Sequence, residues 1–347
     1  MGQFVQPGLA SAVAFLASTS QVEVIVHSFT YFRPDSADAA LDALKNRGAH
    51  ALGGGTDLLV TMKEQLVRPD HLVDLRRLPG AREITVRGDG SVRLGGAVRI
   101  ADLAAHETIK SKFGALAQAA QLVGTPALRN MGTIAGNLGQ RPRCWYFRRG
   151  MACFKSGASG CPAIEGENQY HAIFDEGPCH AVHPSDPAIA LTALEASVEL
   201  LGTGNVRRSV RMSDFYHGAA QNIRGEMSIA AGEMIEAIDL PACSAGGVQR
   251  YLKLMQRGAW DFALVALAAV RRPDGEVRLV LGGVAARPYR INSSVEEDVA
   301  SGALDEESIE ALAERALYDA KPLAKNGYKV KQAAALLRQA MRELYQS

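Results

Sequence analysis

The stretch His50-Ala-Leu-Gly-Gly-Gly-Thr-Asp-Leu58 joins a short apolar strand to a helix through three consecutive glycines. Glycine permits positive φ angles and close approach of the backbone, so consecutive amides can point into one concavity and hold a phosphate. Thr56 adds a hydroxyl group, and the helix that follows would turn its positive end toward the same place. A tight turn without a ligand fits the same residues. The stretch therefore predicts a strand-turn-helix unit and leaves its ligand open.

The flanking segments extend this unit on both sides. Phe29-Thr-Tyr-Phe32 alternates as a strand does, and apolar residues recur on one helical face from Ala37 to Leu44. Leu72-Val-Asp-Leu75 predicts the next strand. The chain contains neither G-x-G-x-x-G after a strand nor G-x-x-x-x-G-K-S/T, which disfavours a Rossmann dinucleotide site and a P-loop.

A second turn of small residues occurs at Thr133-Ile-Ala-Gly-Asn-Leu138. Its glycine again lets a ligand approach the backbone closely, and Thr133 and Asn137 offer polar side chains beside it. Two such turns in one domain are more informative than one, and together they favour a phosphate-bearing ligand.

The rest of the chain alternates between strand and helix patterns. Glu83–Val86 and Ser91–Leu94 predict a hairpin, because a glycine-rich turn joins them. The apolar run Trp260–Val270 predicts a helix, and Val277–Leu281 predicts a strand. Val330–Leu344 repeats apolar residues at helical spacing and predicts a further helix.

Four cysteines fall in one short, arginine-rich stretch with the spacing C-x8-C-x7-C-x17-C: Cys144, Cys153, Cys161 and Cys179. Thiolates are soft ligands that select zinc or iron-sulfur clusters, and a set of this size completes either kind of site. Structural zinc sites usually draw ligands in close pairs, whereas these are single and widely spaced, which favours a loop around a larger cluster. On spacing alone, zinc, disulfides and unpaired thiols stay open. Cys243 stands apart and is expected to be a bystander.

The composition excludes several classes of protein. The chain has 347 residues, 47% of them hydrophobic, and a formal net charge of +1 without an extended basic stripe. No segment approaches the roughly twenty apolar residues that span a bilayer, so we expect neither nucleic acid binding nor membrane insertion. The apolar run Leu9–Ala17 is short and Met1–Gly8 carries no Lys or Arg, which argues against a signal peptide. Residues 1–27 are expected to form an N-terminal extension whose role the sequence leaves open.

Both glycine-containing turns resemble segments of a known family. Gly53–Leu58 looks like the first FAD-binding loop of the flavin subunit of the xanthine oxidase, or molybdenum hydroxylase, family, and Thr133–Leu138 looks like the second. His183-Pro-Ser-Asp186 and Tyr251-Leu-Lys253 resemble later flavin-site segments. The similarity covers nearly everything from His27 to Ser347.

This resemblance implies an α+β fold with two domains. Residues 28–245 would form a two-lobed FAD-binding domain of the PCMH, or vanillyl-alcohol-oxidase-like, type, with a cysteine-rich loop at residues 141–183. Residues 246–347 would form a small α+β domain of the CO dehydrogenase flavoprotein type, an antiparallel sheet with helices. The residues that the resemblance implies for FAD binding are Ala51, Leu52, Gly53, Gly54, Gly55, Thr56, Asp57, Leu58, Thr133, Gly136, Asn137, Asp186 and Lys253. Lys253 would lie near the flavin, where a cation favours the anionic reduced ring.

Within the family, the cysteine stretch is similar to a particular subtype. Arg143-Cys-Trp-Tyr-Phe-Arg148 through Gly177-Pro-Cys-His-Ala-Val-His183 resembles the flavin subunits of bacterial periplasmic aldehyde oxidoreductases, which carry an additional 4Fe-4S cluster. The implied ligands are Cys144, Cys153, Cys161 and Cys179, and a zinc site becomes the second interpretation. The sequence departs from the family at Asp57, where an amide is common, and at Ala135, where glycine is frequent.

The basic residues of this stretch suit an anionic cluster, because a buried anion needs charge or hydrogen-bond donors around it. The candidates are Arg141, Arg143, Arg148, Arg149 and Lys155. A solvated basic face, or a docking surface for a partner subunit, explains the same residues equally well.

The resemblance implies the FAD-binding electron-transfer subunit of a molybdenum-dependent aldehyde or purine-type hydroxylase. Substrate would react at a molybdenum cofactor on a large partner subunit, so no catalytic residue is expected in this chain. Electrons would reach FAD from the 2Fe-2S centres of a small subunit and leave to an external acceptor. The complex would be cytoplasmic, or periplasmic if exported with a signal-bearing partner. A self-contained flavin oxidase and a zinc-stabilised scaffold without enzymatic activity are the alternatives.

Overall fold

The computed structural model describes residues 26–174, 177–302 and 304–345. The predicted N-terminal extension, residues 1–27, lies outside this part of the chain apart from Val26 and His27. The described chain forms a domain of two lobes and then a smaller domain of sheet and helices, which confirms the expected α+β fold class.

The first lobe is a parallel three-stranded sheet between two helices. Its elements are β1 (Thr30–Phe32), α1 (Ala37–Leu44), β2 (Ala49–Leu52), α2 (Leu58–Lys63) and β3 (His71–Asp74), in the strand order β1-β3-β2. Successive residues of β3 face opposite sides of the sheet, so Val73 packs with Leu41 of α1 and Leu72 packs with Met62 of α2. The predicted strand-turn-helix unit is confirmed, and its glycines connect the end of β2 to α2.

The second lobe is an antiparallel five-stranded sheet covered by helices. Its strands are β4 (Ile84–Val86), β5 (Val92–Gly95), β6 (Ser197–Gly202), β7 (Val206–Arg211) and β8 (Met234–Leu240), in the order β4-β5-β8-β6-β7. Its helices are α3 (Ile100–Ala105), α4 (Glu107–Lys112), α5 (Gly114–Gln121), α6 (Pro126–Met131), α7 (Ile134–Leu138), α8 (Trp145–Arg148), α9 (Asp186–Ala193) and α10 (Met212–Phe215). The predicted hairpin is confirmed, because β4 and β5 pair in antiparallel register.

The C-terminal part of the chain is an antiparallel four-stranded sheet with helices. Its elements are β9 (Val248–Leu254), β10 (Val265–Arg271), β11 (Val277–Gly282), β12 (Tyr289–Arg290), α11 (Ser293–Ala300), α12 (Glu306–Ala316) and α13 (Tyr328–Glu343), in the strand order β12-β11-β10-β9. The predicted strand in β11 and the predicted helix in α13 are confirmed.

The predicted helix at Trp260–Val270 is wrong, because this run contains the strand β10. Val265 and Leu267 belong to the core formed with α11, α12 and α13, whereas Ala266 and Ala268 belong to the core of the second lobe. A strand that is buried on both faces shows no polar alternation, so its sequence resembles that of a buried helix. The helix α9, whose residues are all buried, packs against this second face. The two domains therefore share one core.

Candidate functional site

A cleft of about 810 Å³ lies between the two lobes. The first lobe contributes the first glycine turn, Gly53–Asp57, and the second lobe contributes the second glycine turn, Thr133–Leu138. The lining also includes Gly95–Ala97 and Ile229–Ala237, which belong to the ends of β5 and β8 and the chain beside them. Cofactor pockets usually enclose ~300–1000 Å³, so the cleft has the size of a cofactor site.

The first glycine turn presents free backbone donors to the cleft. The amides of Gly53, Gly54, Gly55 and Thr56 find no acceptor among the described residues. Gly55 has a φ of 74°, which residues with a side chain rarely adopt. An unpaired backbone donor is costly unless water or a ligand receives it. Neighbouring free donors just before a helix suit an anionic oxygen group such as phosphate.

The two glycine turns touch each other because they lack side chains. A Cβ atom on Gly54 would overlap the backbone carbonyl of Met131, and one on Gly53 would overlap the hydroxyl of Thr133. Thr133 itself is buried, and its hydroxyl accepts a hydrogen bond of 3.1 Å from the amide of Gly136. The backbone of the first turn therefore lies directly against the Met131 carbonyl and the Thr133 hydroxyl, and a side chain at Gly53 or Gly54 would separate them.

The predicted FAD-binding residues fall into two groups. The cleft is lined by Ala51, Gly53, Gly54, Gly55, Thr56, Asp57, Leu58, Thr133 and Gly136. Outside this lining lie Leu52, Asn137, Asp186 and Lys253. The Asn137 side chain accepts a 2.6 Å hydrogen bond from the Ser185 hydroxyl, which ties the second turn to the start of α9. Whether these residues contact FAD stays a prediction.

The sequence reasoning missed the contribution of the second sheet to the cleft. Ile229–Ala237 is an ordinary loop and strand in sequence, and only the tertiary fold brings it opposite the first glycine turn. Gly95 and Gly96 gave a usable signal, because a glycine pair at the end of a strand marks close backbone approach. A Cβ atom on either glycine would overlap a backbone carbonyl group.

Asp186 and Lys253 form a buried ion pair behind the second turn. The Lys253 ammonium lies 2.8 Å from one carboxylate oxygen of Asp186 and also donates to the carbonyl of Leu122. Tyr251 donates a 2.6 Å hydrogen bond to the other oxygen. Burial raises the pKa of Asp186, and the charge of Lys253 opposes this rise. Because Lys253 and Tyr251 belong to β9, the pair links the second lobe to the C-terminal sheet.

Asp57, at the end of the first glycine turn, points away from its own helix. It occupies the N-cap position of α2, where an aspartate usually accepts from the first helical amides, yet its side chain makes no capping bond. One carboxylate oxygen instead accepts from the Arg148 guanidinium at 2.8 Å and lies 3.0 Å from that of Arg143. The other oxygen accepts from the amide of Arg141 at 2.8 Å. Asp57 therefore connects the first glycine turn to the cysteine segment, residues 141–183.

Four cysteines of this segment surround one small cavity. Cys144, Cys153, Cys161 and Cys179 line it together with Tyr146, Phe147, Phe154, Lys155, Pro162, His171 and Ala181. No disulfide joins any of the five cysteines, and Cys243 is exposed and elsewhere. Among the described residues, no three His, Cys, Asp or Glu side chains are arranged to hold a single metal ion. The thiols thus face a shared space without converging on one point.

Burial controls the chemistry of these thiols. It raises the pKa of Cys144 to about 11, although amides of Phe147 and Tyr146 oppose the rise, and it also raises that of Cys179. Without a metal, both thiols are therefore protonated at neutral pH. A bound metal would stabilise the thiolate forms of Cys144 and Cys179 against this effect of burial.

Two neighbours of the cavity differ from the sequence-based expectation. His171, which the sequence analysis missed, is buried with its Nε2 atom 3.3 Å from the sulfur of Cys144. Of the predicted basic residues, only Lys155 lines the cavity, and its ammonium also pairs with Glu226 at 2.8 Å. Arg143 and Arg148 instead bind Asp57, as described above, and Arg141 pairs with Glu226.

No helix in the described part of the chain has both the length and the apolar character needed to cross a membrane.

Comparison with protein families identifies both domains. Residues 27–243 match the FAD binding domain in molybdopterin dehydrogenase, and residues 250–344 match the C-terminal domain of the CO dehydrogenase flavoprotein. Together the matches cover most of the chain, and the first contains both glycine turns and the cysteine segment.

Individual relatives agree with these matches. The aldehyde oxidoreductase FAD-binding subunit PaoB of Escherichia coli K12 is 39% identical over 307 residues, covering 87% of this chain and 94% of that subunit. The carbon monoxide dehydrogenase medium chain of Hydrogenophaga pseudoflava is 28% identical over 85% of this chain and 88% of its own length. A solved structure of carbon monoxide dehydrogenase from the same organism, which lacks the Mo-pyranopterin moiety, superimposes with a TM-score of 0.71 over 92% of this chain and 98% of that one, at 26% identity. The chain therefore belongs to the family of FAD-binding medium subunits of molybdenum hydroxylases.

Proposed function

We propose that this chain is the electron-transfer subunit of a molybdenum-dependent aldehyde oxidoreductase and that it carries a 4Fe-4S cluster in addition to FAD. The observation that carries the second part is the single cavity lined by all four cysteines of the segment. The aldehyde class is supported by the 39% identity to a subunit whose name gives that activity.

The cleft fits FAD in the chemistry of its donors. Four consecutive amides without acceptors line it and suit the diphosphate. The glycines carry no side chains, so a ligand can approach these amides closely. We propose that Gly53, Gly54, Gly55 and Thr56 hold the diphosphate and that Thr133 and Gly136 shape the second side of its path. Asp186 and Lys253 would act from behind, by holding the second turn through Ser185 and Asn137.

The cysteine cavity fits a cluster better than a single ion. Zinc requires four ligands that converge on one centre at about 2.3 Å, and no such arrangement occurs among the described residues. Ligands of a cubane cluster each bind a different iron, so they surround a shared volume, as these four do. The proposed ligands are Cys144, Cys153, Cys161 and Cys179.

When bound, FAD exchanges one or two electrons and an iron-sulfur cluster exchanges one, which together connect a two-electron oxidation to one-electron carriers. The residues of this chain bind and orient these groups and exclude water from them. Substrate chemistry is assigned to a partner, so no side chain here is proposed as a catalytic residue.

The proposed complex contains a large subunit with the molybdenum cofactor and a small subunit with 2Fe-2S centres. The relatives whose names specify an FAD-binding subunit or a medium chain support such an assembly. We further propose that an external acceptor takes the electrons from FAD. The proposed domain boundary at residues 245 and 246 is supported by family matches that end at residue 243 and begin at residue 250.

Affinity purification of the full chain from its native host, without oxygen, tests this function. The chain should copurify with two other subunits, and the chain expressed alone should bind FAD together with about four iron atoms and about four acid-labile sulfides. The visible spectrum should then show flavin bands on a broad iron-sulfur background.

Three other outcomes would contradict parts of the proposal. Stoichiometric zinc without sulfide would show that the cysteines bind zinc and not a 4Fe-4S cluster. Flavin without iron, in a lone subunit that turns over substrate, would indicate a self-contained oxidase. A chain that binds neither flavin nor iron would support the scaffold without enzymatic activity.

A further inference from the structure

The two proposed cofactor sites share one residue. Asp57 belongs to the first glycine turn and lines the cleft, yet its carboxylate is bound by the chain on both sides of Cys144. Arg141 and Arg143 precede this cysteine, and Arg148 follows it on α8. The side chains of Asp57 and Arg148 are 12% and 9% exposed, so this ion pair is largely removed from water.

The position of Arg148 depends on the fold of the cysteine segment. Its guanidinium donates to the carbonyls of Pro142 and Arg141, at 2.8 and 2.9 Å, as well as to Asp57. Cys144 is the N-cap residue of α8, the helix that carries Arg148. A ligand that fixes the sulfur of Cys144 therefore also fixes the start of this helix and the position of the Arg148 guanidinium at its end.

We propose that Asp57 couples the two sites, so that occupation of the cysteine cavity increases the affinity of the cleft for FAD. This inference rests on the proposed 4Fe-4S cluster. With the segment in place, two guanidinium groups and one amide neutralise the carboxylate. When the segment loosens, the carboxylate stands uncompensated beside the amides that hold the diphosphate. Its charge then repels the diphosphate and weakens FAD binding.

Coupling of this kind is reciprocal, because each ligand must change the affinity of the other by the same factor. FAD in the cleft should therefore increase the affinity of the cysteine cavity for the cluster, so that less iron passes to a competing chelator at equilibrium. This second effect is measured on the unaltered chain and does not depend on how well a variant folds.

The experiment compares FAD dissociation constants of the full chain with and without its cluster, measured by quenching of flavin fluorescence. Cluster-free chain is prepared by oxidation and chelation of the same sample. Asp57→Asn keeps the shape of the side chain and removes its charge. Glu64→Gln is the matched control, since Glu64 contacts the same guanidinium, 3.5 Å from Arg148, but lies at the other end of α2 and outside the cleft lining.

In the unaltered chain, removal of the cluster should raise the Kd for FAD by about 5- to 150-fold, the usual range of coupling between sites. In Asp57→Asn the two Kd values should converge, whereas Glu64→Gln should keep the ratio of the unaltered chain. In the unaltered chain, added FAD should lower the share of iron that a competing chelator holds at equilibrium.

Equal FAD affinity of the cluster-loaded and cluster-free chain would overturn the coupling, as would an undiminished ratio in Asp57→Asn. An equilibrium distribution of iron between chain and chelator that is indifferent to FAD would overturn it as well. These results leave a measured 4Fe-4S cluster intact, so they differ from a failure of the proposed function, which would appear as absent iron and sulfide before any variant is made.

Discussion

The flavin cleft and the cysteine segment hold their proposed ligands by opposite means. The cleft is built from glycine-containing turns and strand ends of the two lobes, each of which has buried hydrophobic residues behind it. The described residues of the cysteine segment contain only α8 and a 3₁₀ turn at Phe154–Ser156 as regular helix, and its site is built from side chains. A backbone site is fixed by the fold, whereas a thiol site gains much of its order from the metal.

Both regions are anchored to the C-terminal domain by a buried lysine, but the anchors differ in charge. Behind the cleft, Lys253 is paired with the carboxylate of Asp186. Behind the cysteine segment, Lys329 donates only to backbone carbonyls, those of His171 at 3.0 Å and Gly283 at 2.8 Å. The comparison predicts that each region responds to a different perturbation.

The largest effect is expected from the cysteine ligands. Cys153→Ser or Cys161→Ser replaces a soft thiolate with a harder, poorer ligand, so iron and acid-labile sulfide should be lost together. Flavin content should fall only secondarily, because the core that shapes the cleft is untouched. Metal and sulfide analysis of the purified chain measures the first effect, and released flavin measures the second.

Cys243→Ser is the matched control for these variants. Cys243 is exposed and lies outside the cavity, so iron, sulfide and flavin should all be unchanged. Equal loss of iron from Cys243→Ser would contradict the assignment of the four ligands, and zinc without sulfide in the unaltered chain would contradict the cluster itself.

The converse effect is expected from Gly54→Val. Its side chain would overlap the Met131 carbonyl, push the two glycine turns apart and disrupt the donors that face the diphosphate. FAD should be lost while iron and sulfide stay near their normal content. Gly88→Val is the control, because a Cβ atom on Gly88 meets no atom within 4 Å and the residue lies in the β4–β5 hairpin. Normal flavin content in Gly54→Val would falsify the role of this turn.

The glycine turns of the cleft were largely predictable from sequence, whereas the side chains that surround the cysteines were not. Glycines in a row, as at Gly53–Gly55, mark close backbone approach whatever surrounds them, and widely spaced cysteines mark a possible ligand set. His171 gave no comparable signal, because a single histidine is usually a packing residue and only the fold brings it to the sulfur of Cys144. Arg143 and Arg148 bind Asp57, more than eighty residues earlier, and charge composition could not indicate this partner: it left a cluster, a solvated face and a docking surface open.

The elements of the fold also divide into those that local sequence predicts and those that depend on tertiary contacts. Local patterns identified the units β2-turn-α2 and β4-turn-β5, whose elements are adjacent in sequence. β10 was missed because its strand character depends on neighbours on both faces, α9 on one side and α13 on the other. A strand that is buried on both faces carries apolar residues throughout, so its sequence lacks the alternation of polar and apolar residues by which a strand is recognised.

A smaller effect, on stability rather than on cofactor content, is expected when the charged anchor is broken. Lys253→Met leaves the Asp186 carboxylate buried without its cation, so the free energy of unfolding should fall by about 3–5 kcal/mol. Asp186→Asn combined with Lys253→Met should recover much of this loss, since no charge then remains buried. Urea unfolding at neutral pH measures both.

An exposed pair supplies the control for this anchor. Lys45 and Asp42 form an ion pair on the surface of the first lobe, with side chains 47% and 72% exposed. Lys45→Met should therefore change the free energy of unfolding by less than about 1 kcal/mol. A loss as small as this in Lys253→Met would show that Asp186 is not charged in the folded chain.

At the anchor formed by Lys329, the effect appears as a pH dependence of stability. Burial lowers the pKa of Lys329 from 10.5 to about 7. Between these values the unfolded chain holds a proton that the folded chain lacks, so this lysine makes stability rise with pH, by at most about 1.4 kcal/mol per pH unit. Its contribution is fully present above the unfolded pKa and is lost as pH falls through the folded pKa near 7.

Lys329→Met isolates this contribution, because the difference in unfolding free energy between the unaltered chain and the variant cancels the other titrating groups. The difference should change with pH between about 7 and 10 and become flat below that interval. Lys331→Met, on the exposed face of the same helix, is the matched control for replacing a lysine by methionine. A flat difference for Lys329→Met would mean that its ammonium stays protonated on the two carbonyls. Lys253 and Lys329 would then both be charged. The two anchors would differ only in that Lys253 has the Asp186 carboxylate as a partner and Lys329 has backbone carbonyls.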